Sequence, residues 1–531
     1  MSTFDYLIIG AGSAGCVLAG RLSEDPAVQV ALLEAGPPAR SALIACPAGV
    51  ALLARTGAAN WKFATVPQPG LNGRCGYQPR GRVLGGSSAI NAMVYARGHR
   101  GDYDDWAAQG NPGWSFDEVL PYFRRAEGNA RGADALHGGD GPLRVMDLAE
   151  PSPCSQAFVQ AAMQAGYPAN ADFNGPEQEG VGLYQVTQQG GERCSAARAY
   201  LTPHLGRPNL FVVTGATVVR ILLAGRRAVG IEYYQDGLVK QLKARREVLL
   251  SAGALQSPQL LMLSGIGPQA HLVGEGVAPR HDLPGVGLHL HDHVDAVLVQ
   301  HAPRARDTLG VSPGGLWRAA RGVLDWQRRR RGLLTSNLAE AGGFIRSQAG
   351  EPRPDLQLFF VIGKLVDHGR RTVLGHGYSV HVSVLRPHSR GRVRLDGKDP
   401  QAPPRVDPNF LGEREDMERL QRGFRIARQI VAQPALAVLG GREDGRSARA
   451  FGDLPLETFL RDHADTAYHP VGSCRMGPGP LDVVDHRLRV HGLQGLRVVD
   501  ASVMPTIVAG GLNATVVMIA EKAADMVRAD G

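Results

Sequence analysis

The stretch "DYLIIGAGSAGCVLAGRLSEDPAVQVALLE", residues 5–34, decides the fold. A short apolar run, Tyr6 to Ile9, enters a glycine-rich turn, Gly10 to Gly15; "CVLAGRLSE" has helical character, and a second apolar run, "VQVALLE", ends on Glu34. This is a strand, a helix and a strand with a G-x-G-x-x-G turn at the first crossing. Gly10 allows the tight turn, Gly12 lets a pyrophosphate approach the backbone, and Gly15 lets the helix pack on the strand. The helix N-terminus, at Ser13 and Ala14, turns its positive end toward the phosphates. Glu34 is placed to bond a ribose hydroxyl, so the unit predicts an adenine dinucleotide without separating FAD from NAD.

At 531 residues the chain predicts two or more domains. Hydrophobic residues at 44% and charged residues at 20% describe a globular protein, and 68 glycines imply many tight turns. Six cysteines, at 16, 46, 75, 154, 194 and 474, show no paired spacing, which argues against a disulfide framework or zinc ribbon and for a reducing compartment. No basic segment and cleavage site precede Asp5, so export is not expected and a cytoplasmic location is. No apolar run approaches the roughly 20 residues of a spanning helix. The net charge is +8, with an arginine-rich stretch, "WRAARGVLDWQRRRRG", at 317–332. Leu316, Ala320, Val323 and Leu324 fall near one helical face, so residues 316–331 read either as a basic amphipathic helix in peripheral contact with the inner face of a membrane or as a solvated surface helix. No nucleic-acid module surrounds it, and a nucleic-acid partner is not expected.

Farther along, 210–234 reads as strands with a turn at Gly225, and 246–254 as a strand ending in a glycine-rich turn. Strand-like text recurs at 355–362, 378–386 and 391–395; residues 302–315 read as a loop, and the end of the chain as a strand, a loop and a helix from about Ala514. The order predicts a nucleotide domain interrupted by insertions and completed by the C-terminus.

Two clusters raise the question of metal. "YHPVGSCRMG", residues 468–477, sets His469, Cys474 and Met476 close together. A blue-copper site wants a second histidine that the loop lacks, so the copper reading fails on parts and Cys474 and Met476 read as packing residues of a buried loop. "GLHLHDHV" places His289, His291 and His293 at alternate positions, on one face if the segment is a strand, with Asp292 as the lone carboxylate nearby. Hydrogen-bonded histidines are the commoner explanation, and no metal is expected.

"GRVLGGSSAINAMVYARGHRGDYD" (81–104) and "GALQSPQLLMLSGIG" (253–267) resemble the two signatures of the glucose-methanol-choline (GMC) oxidoreductases. With the N-terminal turn and the His469 loop they span nearly the whole chain in that family's order. "YDDWAAQGNPGWSFDEVLPYFRRAE", "LTSNLAEAGGF" and "LRPHSRGRV" are most similar to the bacterial alcohol and choline dehydrogenases. The resemblance implies an α/β fold: a Rossmann-like FAD-binding domain, residues 1–154, 205–300 and 456–531, interleaved with a substrate-binding domain of antiparallel sheet plus helices, 155–204 and 301–455. It implies FAD contacts from Gly10, Gly12, Ser13, Ala14, Gly15, Glu34, Ala35, Trp61, Arg82, Gly85, Gly86, Ser87, Asn91, Ala92, Met93, Val94, Val218, Asp500, Ala501, Asn513 and Thr515. Some relatives attach FAD through a histidine just before the asparagine; Ile90 stands there, which implies non-covalent FAD. The family pattern has Asn where this chain has His289.

The resemblance also implies that His469 is the catalytic base, with Asn513 as its partner. A histidine near its reference pKa of about 6.5 accepts the hydroxyl proton while flavin N5 takes the hydride. The expected activity is oxidation of a primary alcohol to an aldehyde, with electrons passed to a quinone or another carrier. The alternatives are an oxygen-using oxidase, choline as substrate, and a non-redox or light-driven reaction of the family. A choline site needs aromatic faces or a carboxylate, and at 6% aromatic content no cage is evident in the sequence.

Overall fold

A computed structural model describes residues 2–530. The first strand, β1 (Thr3–Ile9), the helix α1 (Ser13–Leu22) and the strand β2 (Val30–Glu34) form the unit read from the sequence. All of β2 and six of the seven residues of β1 are buried, as in a strand covered on both faces. A seven-stranded sheet is built on them in the order Leu210–Thr214, β2, β1, Leu238–Leu250, Arg227–Gln235, Thr217–Ala224. Strand Leu496–Val498 joins the far end of Leu238–Leu250. Pairing is parallel from Leu210–Thr214 across to Leu496–Val498 and antiparallel in the 217–250 meander.

The C-terminal helix, Leu512–Asp530, packs on α1 and closes this layer. Their contact is reinforced by Glu521, whose buried carboxylate takes Arg21 from α1, Arg125 and the Tyr200 hydroxyl.

The second sheet is antiparallel, in the order Arg442–Glu443, Val294–His301, Gly377–Val384, Leu356–Val361, Ala339–Ile345, Gly180–Leu183. One face carries helices Arg414–Val431 and Pro153–Gln164 over an apolar core of Leu358, Val380, Val382 and Phe424. The other face is more polar; Asp295, His381 and Ser383 look out from it.

Two boundaries differ from those expected. Val294–His301 and Asp465–Thr466 belong to the second sheet, although both begin within the segments expected for the nucleotide domain, 205–300 and 456–531. The chain therefore crosses between layers directly beside His293 and His469. The 302–315 loop also ends early: Pro313 opens a helix, Pro313–Arg329, whose N-cap Ser312 accepts a hydrogen bond from Gly315 N at 3.0 Å.

Candidate active site

A cavity of about 1540 Å³ runs between the two sheets. It exceeds the 300–1,000 Å³ usual for one small ligand, and so has room for a dinucleotide and a second molecule. One end is built by the glycine turns. Gly10 has φ +92° and lies against Ser251, where a Cβ would sit 2.6 Å from the carbonyl oxygen. A Cβ on Gly15 would sit 1.9 Å from Gly10 O, which is the close helix-to-strand packing expected of the third glycine. Gly12 is different: a Cβ there meets nothing within 4 Å, because the position opens on the cavity. Gly12 is also the N-cap of α1 and offers no side-chain cap, so the first-turn N–H groups at Ser13 and Ala14 are free for an anion.

The second glycine turn docks on the first. Gly85 N donates to Ala11 O at 2.7 Å, and a Cβ on Gly86 would come within 2.7 Å of Gly12 Cα. Gly86 and Ser87 line the cavity, with Asn91, Ala92, Met93 and Val94 following. Asn91 Oδ1 accepts from Met93 N at 3.1 Å, a turn that supports φ +57° at Met93. The buried Arg193, which the sequence reading missed, donates to Asn91 O at 2.7 Å and Oδ1 at 2.8 Å, fixing this segment.

Glu34 accepts from Ala11 N at 2.9 Å and Gly36 N at 2.8 Å; burial raises its pKa to about 7 despite these donors. Ala35, Val218 and Ala501 line the cavity, as do Trp61 and Arg82, whose guanidinium lies 4.6 Å over the indole. Asp500 lines it too, but its carboxylate is saturated: Gly253 N and Ser257 Oγ bind one oxygen, Ser502 N and Oγ the other. It organises the end of the sheet and leaves no side-chain acceptor for a ligand. Gly15 and Gly85 act from behind the lining. Thr515 is off the cavity, fully buried, with its hydroxyl 2.8 Å from Tyr103 Oη; the two residues that separate it from Asn513, about half a helical turn, carry it to the core face.

Both His469 and Asn513 line the cavity. Asn513 sits in the first turn of Leu512–Asp530, and its Oδ1 accepts from Ser13 Oγ at 2.6 Å, tying two helix N-termini together. Tyr468, just before His469, has φ +71°, an uncommon conformation for a bulky residue. It is held from three sides. Tyr468 N donates to Thr466 Oγ1 at 2.6 Å, Arg80 donates to Tyr468 O at 2.8 Å, and the Tyr468 hydroxyl lies 2.7 Å from His368 Nδ1. His469 N donates to Asp292 Oδ1 at 2.8 Å, and Asp292 also accepts from Thr466 Oγ1 at 2.5 Å. Burial raises the Asp292 carboxyl to about 6, with Arg80 working against that rise.

The histidine cluster is not a one-faced strand. His289 has φ +61° at a register irregularity inside the short strand Leu288–Leu290, so the simple alternation does not hold there, and His291 and His293 take separate partners. That left-handed conformation is one that Asn and His accept more readily than most residues, consistent with the family's Asn there. His291 is fully buried, with Nδ1 2.7 Å from His289 O and Nε2 accepting from Ile507 N at 2.9 Å. Among the described residues no group of three His, Cys, Asp or Glu is placed to hold a metal. Cys474 and Met476 are buried in the apolar core.

His293 turns toward the site. Its Nδ1 is 2.9 Å from Nδ1 of His469, and its Nε2 is 3.1 Å from the carbonyl oxygen of Leu385. A carbonyl only accepts, so His293 carries its hydrogen on Nε2, its Nδ1 accepts, and His469 donates from Nδ1. Nε2 of His469 is then left with its lone pair. Burial, then the nearby Arg80 charge, lowers the His469 pKa to about 3; the ring is a neutral acceptor, much less basic than the 6.5 expected from the sequence.

An extended cavity with two glycine turns, a buried acid at the end of β2 and a free helix N-terminus at one end, and a neutral imidazole farther along, defines a dinucleotide-dependent oxidoreductase. Family comparison agrees: residues 4–295 and 387–520 match the N- and C-terminal models of the GMC oxidoreductases, and the chain belongs to that family. It is 46% identical to an alcohol dehydrogenase [acceptor] of Pseudomonas putida, over 99% of this chain and 95% of that one. It is 45% identical to the mitochondrial choline dehydrogenase of Homo sapiens, over 99% and 90%. Among solved structures, a variant formate oxidase of Aspergillus oryzae RIB40 studied for FAD modification superposes with a TM-score of 0.91 at 27% identity, covering 100% of this chain and 98% of that one. The protein is an FAD-binding oxidoreductase.

Proposed function

We propose that the protein oxidises an uncharged primary alcohol to its aldehyde, with non-covalent FAD held by the glycine turns, Glu34, Trp61, Arg82 and the Asn91–Val94 segment. The observation that carries this reading is the hydrogen-bond chain from Leu385 O through His293 to His469, a cavity-lining residue whose Nε2 it leaves unprotonated. His469 accepts the hydroxyl proton of the substrate. Asn513, which also lines the cavity, orients the substrate oxygen through its amide NH₂, because its Oδ1 is already occupied by Ser13. His293 and Asp292 hold the imidazole in place. When bound, FAD supplies the hydride acceptor. Electrons leave to a quinone or another carrier, a reading that rests on the likeness to an acceptor-linked alcohol dehydrogenase.

One observation favours a second reading, choline. Asp295 puts a carboxylate on the cavity wall, with Tyr77, Phe359 and Tyr468 also on the lining. Against it, that carboxylate is already engaged by His381 Nδ1 at 2.6 Å and Ser383 Oγ at 2.9 Å. Anaerobic stopped-flow reduction of the yellow protein by aliphatic alcohols, aromatic alcohols and choline separates the two. Bleaching by an uncharged alcohol supports the first reading, bleaching by choline alone replaces it, and no bleaching by any overturns alcohol oxidation. Admitting oxygen afterwards tells an oxidase from a carrier-linked dehydrogenase.

A further inference from the structure

The helix Pro313–Arg329 is inside out relative to an ordinary surface helix. Toward the protein it buries Gly315, Gly322 and Trp326, the indole N–H donating to Gly191 O at 2.8 Å. The apolar side chains legible in the sequence face outward: Leu316 and Trp317 are each 63% exposed, Leu324 51% and Val323 42%. The patch continues onto a neighbouring loop. Val311 pairs with Leu374 through a backbone bridge, and Leu374 is 76% exposed. Isolated exposed leucines need no explanation, but a contiguous group with a tryptophan on one helix marks an interaction surface.

The charges around the patch indicate what covers it. Residues 317–331 hold six arginines and one acid, Asp325. Arg321 lies 3.8 Å from Asp325 and Arg330 3.0 Å from Glu192, while exposed Arg328, Arg329 and Arg331 make no ion pair among the described residues. A second copy docked symmetrically through this face would bring like charges together. An apolar face with tryptophan and leucine, bordered by free arginines, instead suits the interface of an anionic bilayer. We infer that the protein seats this helix and Leu374 on an anionic lipid surface. Leu316, Ala319 and Val311 also line the cavity, so its mouth lies at the edge of the seat, where a lipid-dissolved acceptor or alcohol can enter without crossing water.

The holoenzyme is floated with vesicles of phosphatidylglycerol mixed into phosphatidylcholine, and with phosphatidylcholine alone. The expected result is flotation with the anionic vesicles, at least about ten-fold weaker on the neutral ones. The pair Trp317→Glu with Leu324→Glu is expected to lower the bound fraction at least about ten-fold; neither residue lines the cavity, so flavin content and anaerobic bleaching by alcohol stay unchanged, separating this inference from the alcohol reading. Brominated lipid provides a check on the unmodified protein, since seating Trp317 quenches its fluorescence. Absence of flotation, equal flotation of the double variant, or light scattering that shows a dimer dissociated by the double variant would each overturn the inference.

Discussion

Nδ1 of His293 lies 2.9 Å from Nδ1 of His469, in a T-shaped pair with the rings 89° apart. Two like nitrogens at this distance share one hydrogen, and the Leu385 carbonyl beyond His293 decides which ring owns it. His293 thereby acts as a positioning residue. Replacing it with Leu is expected to leave FAD bound but slow flavin reduction by about 10- to 100-fold, through loss of the imidazole's orientation. Asn, whose Oδ1 can stand in for Nδ1 as acceptor, is expected to recover much of the rate. Equal rates in the Leu and Asn variants would remove the tautomer argument.

His469 itself is tested by Ala. The variant is expected to stay yellow, since the FAD contacts lie elsewhere, and to be reduced by alcohol about 100- to 10,000-fold more slowly. Unchanged single-turnover reduction would rule it out as the base.

The lowered pKa of His469 sets the pH dependence. With a value of about 3 the ring is already unprotonated at pH 5, so flavin reduction is expected to show no inflection near 6.5 between pH 5 and 9. A clear acid limb at 6.5 in stopped-flow traces would contradict this. Stability follows by linkage: below pH 6.5 the unfolded chain binds a proton that the folded ring refuses. The stabilisation is full above 6.5 and is lost as pH falls toward 3. The His469→Ala variant is expected to flatten the acid loss by up to about 1.4 kcal/mol per pH unit, measured from urea unfolding at pH 4.5 to 6.5.

Gly12 and Gly15 are expected to fail differently. A side chain on Gly12 enters open cavity, so Gly12→Val folds but excludes the pyrophosphate and is isolated without flavin. On Gly15 even a methyl meets Gly10 O at 1.9 Å, and Gly15→Ala is expected to lower stability as well. Circular dichroism and flavin absorbance on both variants distinguish the outcomes; stoichiometric FAD in Gly12→Val would contradict the phosphate-loop assignment.

The sequence alone determined the nucleotide-binding unit, because glycine spacing and strand periodicity are local: Gly10, Gly12, Gly15 and Glu34 stand where a βαβ turn puts them. The strands at 210–235, and the presence of apolar residues along the 313–329 helix, were legible for the same reason. What the tertiary structure decided involves pairs far apart in the chain. His293 and His469 are 176 residues apart, and Ser13 and Asn513 500 apart; no local pattern encodes such meetings. "GLHLHDHV" stood out in the sequence, but its alternation suggests one strand face, whereas φ +61° at His289 marks an irregular register and His291 and His293 find partners in different parts of the chain. The direction of the 313–329 helix was also a tertiary matter. An apolar stripe names a face, and the small residues Gly315 and Gly322 let the opposite face pack against the protein. Periodicity fixes which side chains lie together; the fold fixes whether they look inward or out.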